Sequence, residues 1–314
     1  MRFLIIGAGG IGCYYGARLQ QKGHQVCFLA RGEHLNAMRI SGLKVQHENL
    51  NFHEKVDATD LNELLQHRSC KEFDMILLCL KTGATESILS QLQAWLKHSD
   101  TPVLSLQNGV DNEPLIADIL GQYRTIGGLA VRIGGHILSP GEVEAKGPAQ
   151  VIMGSWPNHS EPRIFSPDAL KVYAETFNEA GIPTTISADI RYELWRKLLI
   201  NNGVNPLSAL TRLDTRSLTS HPVFGKTVYR MMQEVAAVSI ADNVILSTQD
   251  IDEMFNLISN FDAIKTSMLV DKEKGRPLEL DGISGAVIKR AAQLKTEVPN
   301  TELVQALLLQ QESD

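Results

Sequence analysis

The hexapeptide "GAGGIG" at residues 7–12, preceded directly by "RFLII", constrains this chain more than any other stretch. The short apolar run suits a strand and residues 13–21 suit a helix, so the glycines lie at a strand-to-helix turn. Gly7, Gly9 and Gly12 have G-x-G-x-x-G spacing, and a strand before with a helix behind is the context in which that spacing binds a dinucleotide. Gly7 permits the tight turn, Gly9 lets the backbone approach a pyrophosphate, and Gly12 lets the helix pack closely on the strand. The helix N-terminus then faces the anion. Gly7, Ala8, Gly9, Gly10, Ile11 and Gly12 are therefore the expected cofactor-binding turn. A glycine-rich turn with no ligand is the alternative.

The rest of the first half supports an α/β reading. Apolar runs at 25–30, 74–80 and 102–106 alternate with helical periodicity, as at 82–96, and a β-rich stretch covers 125–153. This alternation predicts a Rossmann-type, doubly wound, mostly parallel sheet. Pro157, Pro162 and Pro167 mark a loop at its edge, followed by a helix at 168–180 and a strand at 183–187. From Asp189, an N-cap residue type with Glu193 in the first turn, the pattern is helical almost throughout. Two domains are expected, 1–187 and an all-helical 188–314, in line with roughly 150 residues per domain.

Composition removes several function classes. The formal net charge is −6, and the basic residues are scattered, which argues against a nucleic-acid partner. No run approaches the ~18 apolar residues of a membrane span. Cys13, Cys27, Cys70 and Cys79 lack C-x-x-C spacing and read as reduced core thiols of a cytoplasmic protein. The nine histidines form no metal-type pair, so no metal is expected. The Asn158 sequon, with no secretory signal, reads as chance.

The choice of dinucleotide turns on two basic residues. NAD-binding folds usually place an acidic residue about 20 residues beyond the glycines. Here the second strand ends in Arg31, which can pair with a 2′-phosphate but cannot accept from a ribose hydroxyl. Lys81 closes the run "DMILLCLK". Either alone reads equally well as a solvated charge; together they favour NADPH over NADH. Asn108, in "SLQNGV" at another strand end, suits the nicotinamide ribose or the substrate, although an Asn-Gly turn explains the dipeptide more simply.

Residues 188–210, "ADIRYELWRKLLINNGVNPLSAL", read as one helix followed by a break. Lys197, Asn201 and Asn205 recur every fourth residue among Leu194, Trp195, Leu198, Leu199 and Ile200. At about 100° per residue they stay within an ~80° arc. One reading has Lys197 snorkelling to solvent while the asparagines cap the helix before Pro206. The other makes the stripe a site. Hydride transfer to a ketone builds negative charge on the carbonyl oxygen, and a cation that gives up a proton there stabilises that charge. Farther on, Ser267 lies one turn from Asp271, and Glu279 sits in "LELDG". The serine suits a substrate carboxylate and Glu279 suits the cofactor or Lys197; in isolation, capping and surface roles account for them more simply.

Taken in order, "GAGGIG", "LAR", "LCLKT", "LQNGV", "ELWRKLLINNGVNPLSAL", "TSMLVD" and "ELDGISG" resemble the ketopantoate reductase family along essentially the whole chain. The "ELWRKL…N…NP" block is the most specific. The resemblance implies NADPH-dependent reduction of 2-dehydropantoate to pantoate, toward pantothenate and coenzyme A. It implies Lys197 as proton donor, Asn108, Asn201, Asn205 and Ser267 as substrate contacts, and Glu279 as a catalytic residue at the cofactor–substrate junction. It also implies a Rossmann domain followed by a helical domain, with the site in the cleft between. Some members carry further asparagines near the positions of Thr215 and Ile264, so the reaction type is better specified than the substrate. The expected partner is a small-molecule 2-oxo acid, with a homodimer left open. A reductase of a different 2-oxo acid and a non-catalytic NADPH-binding sensor stay as alternatives. A sensor needs the glycines and Arg31 but has no use for the Lys197, Asn201, Asn205 and Glu279 set.

Overall fold

A computed structural model describes residues 1–260 and 262–313. Packing divides them into two units. The first comprises Met1–Gln107 and Asn112–Ile190; the second comprises Asn108–Asp111 and the chain from Arg191 onward.

The first unit holds strands β1 (Arg2–Ile6), β2 (Gln25–Leu29), β3 (Leu43–His47), β4 (Leu50–Glu54), β5 (Asp57–Thr59), β6 (Met75–Leu78) and β7 (Val103–Ser105). It continues with β8 (Thr125–Val131), β9 (Gly134–Ser139), β10 (Glu142–Lys146), β11 (Gln150–Ser155) and β12 (Thr184–Ile186). Its helices are α1 (Gly10–Gln21), α2 (Gly32–Ser41), α3 (Leu61–His67), α4 (Thr85–Leu96), α5 (Asn112–Leu120) and α6 (Pro167–Glu179). The main sheet has the order β12-β11-β8-β7-β6-β1-β2-β5. From β5 to β8 every pair is parallel, which is the 3-2-1-4-5-6 order of a dinucleotide-binding fold. β11 is antiparallel to β8 and parallel to β12.

Both faces of this sheet are covered, and that explains its unbroken apolar strands. Phe3, Ile5, Met75 and Leu77 enter one core, while their neighbours Leu4, Ile6, Ile76 and Leu78 enter the other. Each such side chain contributes about 1.5–3 kcal/mol by leaving water.

A second sheet departs from the sequence expectation. β9 and β10, inside the β-rich stretch, leave the main sheet and join the β3–β4 hairpin in the order β4-β3-β10-β9. Alternation drives this: Leu43, Val45, Leu50 and Phe52 bury one face of the hairpin, and β10 pairs parallel to β3.

The second unit contains α7 (Ile190–Thr211), α8 (Thr215–Ser220), α9 (Phe224–Val238), α10 (Thr248–Ser259), α11 (Ser267–Glu273), α12 (Ala286–Leu294) and α13 (Pro299–Ser313), with a π turn at Asp281–Gly285. Asp189 immediately precedes α7. The helix does not break at Pro206 but runs on to Thr211. An interior proline forfeits one helical hydrogen bond and normally costs ~3 kcal/mol. Burial of Val204, Leu207 and Ala209 around it offsets that loss. The helix ends where Arg212 turns left-handed at φ 60°. Asn202, fully buried, donates to Thr301 Oγ1 at 3.0 Å. Glu234 accepts from the backbone N–H groups of Asn300 and Thr301 at 2.9 and 2.8 Å, satisfying the first turn of α13 from another helix.

Candidate active site

In the first unit, the β1–α1 turn is shaped by what its glycines exclude. Gly7 has φ +104°, and a Cβ there would lie 2.8 Å from the Cys79 carbonyl carbon at the end of β6. A Cβ on Gly12 would lie 2.2 Å from the Gly7 oxygen, so only glycine lets α1 start this close to the strand. Gly10 is tighter still, with the Gly135 carbonyl carbon 2.0 Å from a Cβ position. Gly9 is the opposite case: a Cβ would meet nothing within 4 Å. Helix α1 has no side-chain cap at Gly9 and no acidic residue in its first turn. An uncapped helix start with open space at Gly9 fits a pyrophosphate, which the dipole and the N–H groups favour. Ala8 and Ile11 complete the turn, buried and half-buried respectively.

Arg31 stands at the N-cap of α2 just beyond β2, exposed and in no ion pair among the described residues. Lys81, also exposed, precedes a short 3-10 turn at Thr82–Ala84. Behind it lies a buried polar network that sequence reasoning missed. Gln107 Nε2 donates to the Leu80 carbonyl at 3.0 Å and to Thr85 Oγ1 at 2.8 Å. Thr85 Oγ1 reaches Asn112 Oδ1 at 2.9 Å. A glutamine at the end of a buried strand, beside Asn108, is the signal that could have shown it. The network locks the ends of β6 and β7, from which Lys81 and Asn108 emerge.

In the second unit, α7 displays the polar stripe. Lys197 and Asn201 are half-buried, and Asn205 is buried. Asn205 Nδ2 donates to Asn201 Oδ1 at 3.5 Å. The flanking Leu194, Trp195, Leu198 and Leu199 are buried. Asn108 belongs to this unit, and its Nδ2 donates to Glu279 Oε2 at 3.3 Å. Ser267 opens α11, exposed, beside the N-cap Thr266. Two pairs of expected site residues are thus in direct contact, Asn108 with Glu279 and Asn201 with Asn205. The glycine turn, Arg31 and Lys81 belong to the other unit.

Thr215 and Ile264 hold one another: the Thr215 N–H donates to the Ile264 carbonyl at 3.0 Å, and the Ile264 N–H to Thr215 Oγ1 at 3.3 Å. The four cysteines are free thiols, and burial pushes Cys27 and Cys79 up to about 12. Among the described residues, no group of three or more His, Cys, Asp or Glu could hold a metal ion, and no helix is long and apolar enough to cross a membrane.

Comparison with known proteins covers both units. The family model "Ketopantoate reductase PanE/ApbA" matches residues 3–158, and its C-terminal counterpart matches residues 189–312. The 2-dehydropantoate 2-reductase of Pyrococcus horikoshii is 27% identical over 314 residues, spanning 100% of this chain and 98% of that one. The crystal structure of 2-dehydropantoate 2-reductase from Geobacter metallireducens is 31% identical, with TM-score 0.85 and 99% of each chain covered. In fold alone, a D-mandelate dehydrogenase solved with NADH and anilino(oxo)acetate also matches, with TM-score 0.88 at 23% identity over 100% of this chain and 99% of that one. Matched in both halves and over its length, the chain belongs to the ketopantoate reductase family of oxidoreductases.

Proposed function

We propose that the protein is an NADPH-dependent reductase of 2-dehydropantoate, forming pantoate for pantothenate and coenzyme A synthesis. The observation that carries this reading is the stripe on α7: a half-buried lysine one turn from Asn201, which pairs with the buried Asn205, flanked by buried Leu194, Trp195, Leu198 and Leu199. NADPH, when bound, supplies the hydride. The Gly7–Gly12 turn receives the pyrophosphate at the uncapped start of α1, and Arg31, with Lys81, takes the 2′-phosphate. Lys197 gives its Nζ proton to the C2 carbonyl oxygen as charge develops there. Asn201 and Asn205 orient substrate, and Ser267 donates to its carboxylate. Asn108 and Glu279, already hydrogen-bonded, serve the junction of cofactor and substrate.

The test is Lys197→Ala. Loss of a general acid should lower kcat by about 10²–10⁴-fold while NADPH binding and folding persist. Near-normal turnover would remove Lys197 from the mechanism.

A second reading, a reductase of another 2-oxo acid with the same proton donor, is favoured by one observation. Near two positions where some family members carry asparagine, this chain has Thr215 and Ile264, neither of which offers a side-chain amide. Preference for a different 2-oxo acid in a substrate panel would select this reading.

A further inference from the structure

The four residues Asn108–Asp111 have three attachments within the helical unit. Asn108 donates to Glu279 at 3.3 Å. Gly109, at φ +94°, lies so close to the Gly282 carbonyl that a Cβ would stand 2.6 Å from its oxygen. Asp111 Oδ1 accepts from Arg290 Nη2 at 2.9 Å. Glu279, Gly282 and Arg290 lie on one continuous run: the residues before the π turn, the turn itself, and α12. Two ends of one short segment are therefore tied to two points of one continuous stretch, the irregular residue Glu279 and Arg290 on α12.

Arg290 is itself fixed. Its side chain is 6% exposed. Nε and Nη2 donate to Asp242 Oδ2 at 2.9 and 2.6 Å, and Nη1 donates to the Ala286 carbonyl at 3.2 Å. The guanidinium lies 5.2 Å from the ring centroid of Trp195, on α7 two residues before Lys197. A planar fork held by two carboxylates and an aromatic face has little freedom to move. Buried ion pairs of this kind are weak sources of stability, because desolvation offsets their attraction. The Asn108–Glu279 bond is the longer and the less charged of the two ties, so the ionic one decides where the segment sits.

We propose that Arg290 and Asp111 form a positioning pair that sets the Asn108 amide against the Glu279 carboxylate. This rests on the reading of Asn108 and Glu279 as ligand contacts. The pair touches no reactant and acts through Asn108.

The test uses the full chain and the Asp111→Asn variant. It keeps the Arg290–Asp242 pair, while the charge that ties the segment to Arg290 is lost. The side-chain amide resonances of Asn108, assigned by their absence in Asn108→Ala, should shift in Asp111→Asn. With 2-dehydropantoate and NADPH, kcat/KM should fall about 10-fold, since small misplacements near the reacting atoms are costly. The same change in an Asn108→Ala background should cost less than about twofold, because the two act through one contact. Arg290→Lys should repeat the pattern. Unchanged amide resonances, or a full additional loss in the Asn108→Ala background, would overturn the proposal. Wild type that turns over no 2-oxo acid would instead defeat the functional reading. The resonance measurement needs no turnover, so it separates failure of the positioning claim from failure of the functional reading.

Discussion

The Gly7–Gly12 turn and the α7 stripe are built from opposite materials. The turn works through backbone, and its specificity lies in which Cβ atoms are missing: three glycines would collide with main chain, and one faces open space. The stripe consists of side chains on a helix that runs through even an interior proline, Pro206. Missing side chains leave a spaced motif that is hard to explain otherwise. Present side chains on a helix have several explanations, from snorkelling to capping to chemistry, until their burial and partners are known.

Substitutions can break this contrast. The largest expected effect is the Lys197→Ala loss in kcat, with folding intact, because on the proposed reading the half-buried Lys197 serves chemistry more than packing. Next, Arg31→Asp should weaken NADPH by about 10- to 150-fold, the worth of a charge-assisted contact of about 1.5–3 kcal/mol, and leave NADH nearly untouched. Equal losses for the two nucleotides in a binding titration would show that Arg31 does not read the 2′-phosphate. Within the turn, Gly10→Ala and Gly9→Ala should separate. A methyl at Gly10 drives into Gly135 and should destabilise by about 1–3 kcal/mol, as overpacking does. At Gly9 there is room, so the melting temperature should hold while KM for NADPH rises about 10-fold. If Gly9→Ala instead lowers stability and spares KM, the open space there is not a ligand seat.

The smallest effect is a pH dependence near the start of α7. Burial works against the Asp250 carboxylate, but hydrogen bonds from Tyr192 and Ser247 and the Arg196 charge outweigh it and hold its pKa below the ordinary value. Folding therefore favours the ionised form. The resulting stability is present above the ordinary carboxylate range and is lost as pH falls through the depressed value. Asp250→Asn should remove on the order of 1 kcal/mol at neutral pH and flatten the acid limb of a urea-unfolding series. Parallel limbs for variant and wild type would contradict it.

The sequence was most legible where one cause dominates. β1, the glycine turn and α1 follow from steric exclusion alone, and the doubly covered strands follow from unbroken apolar runs. The second sheet was not legible in the same way. The alternation of Leu43, Val45, Leu50 and Phe52 is present, but its partner β10 lies about a hundred residues away, and no local signal names that pairing. Pro206 suggested a break because local propensity opposes it; tertiary burial overrides propensity. Asn108 reads from the sequence as a strand-end amide, yet its contact with Glu279 and the Asp111–Arg290 tie depend on distant chain. Gln107, an amide just past a buried apolar strand, hints at a polar network, but its two acceptors come from residues more than twenty positions upstream.

The central claim, that this chain reduces a 2-oxo acid with NADPH, is tested most directly by following the loss of reduced-nicotinamide absorbance with 2-dehydropantoate and a panel of other 2-oxo acids. The account predicts turnover with NADPH that is fastest on 2-dehydropantoate and much slower with NADH. Tight NADPH binding without oxidation by any 2-oxo acid would contradict it and leave a nucleotide-binding protein without this chemistry.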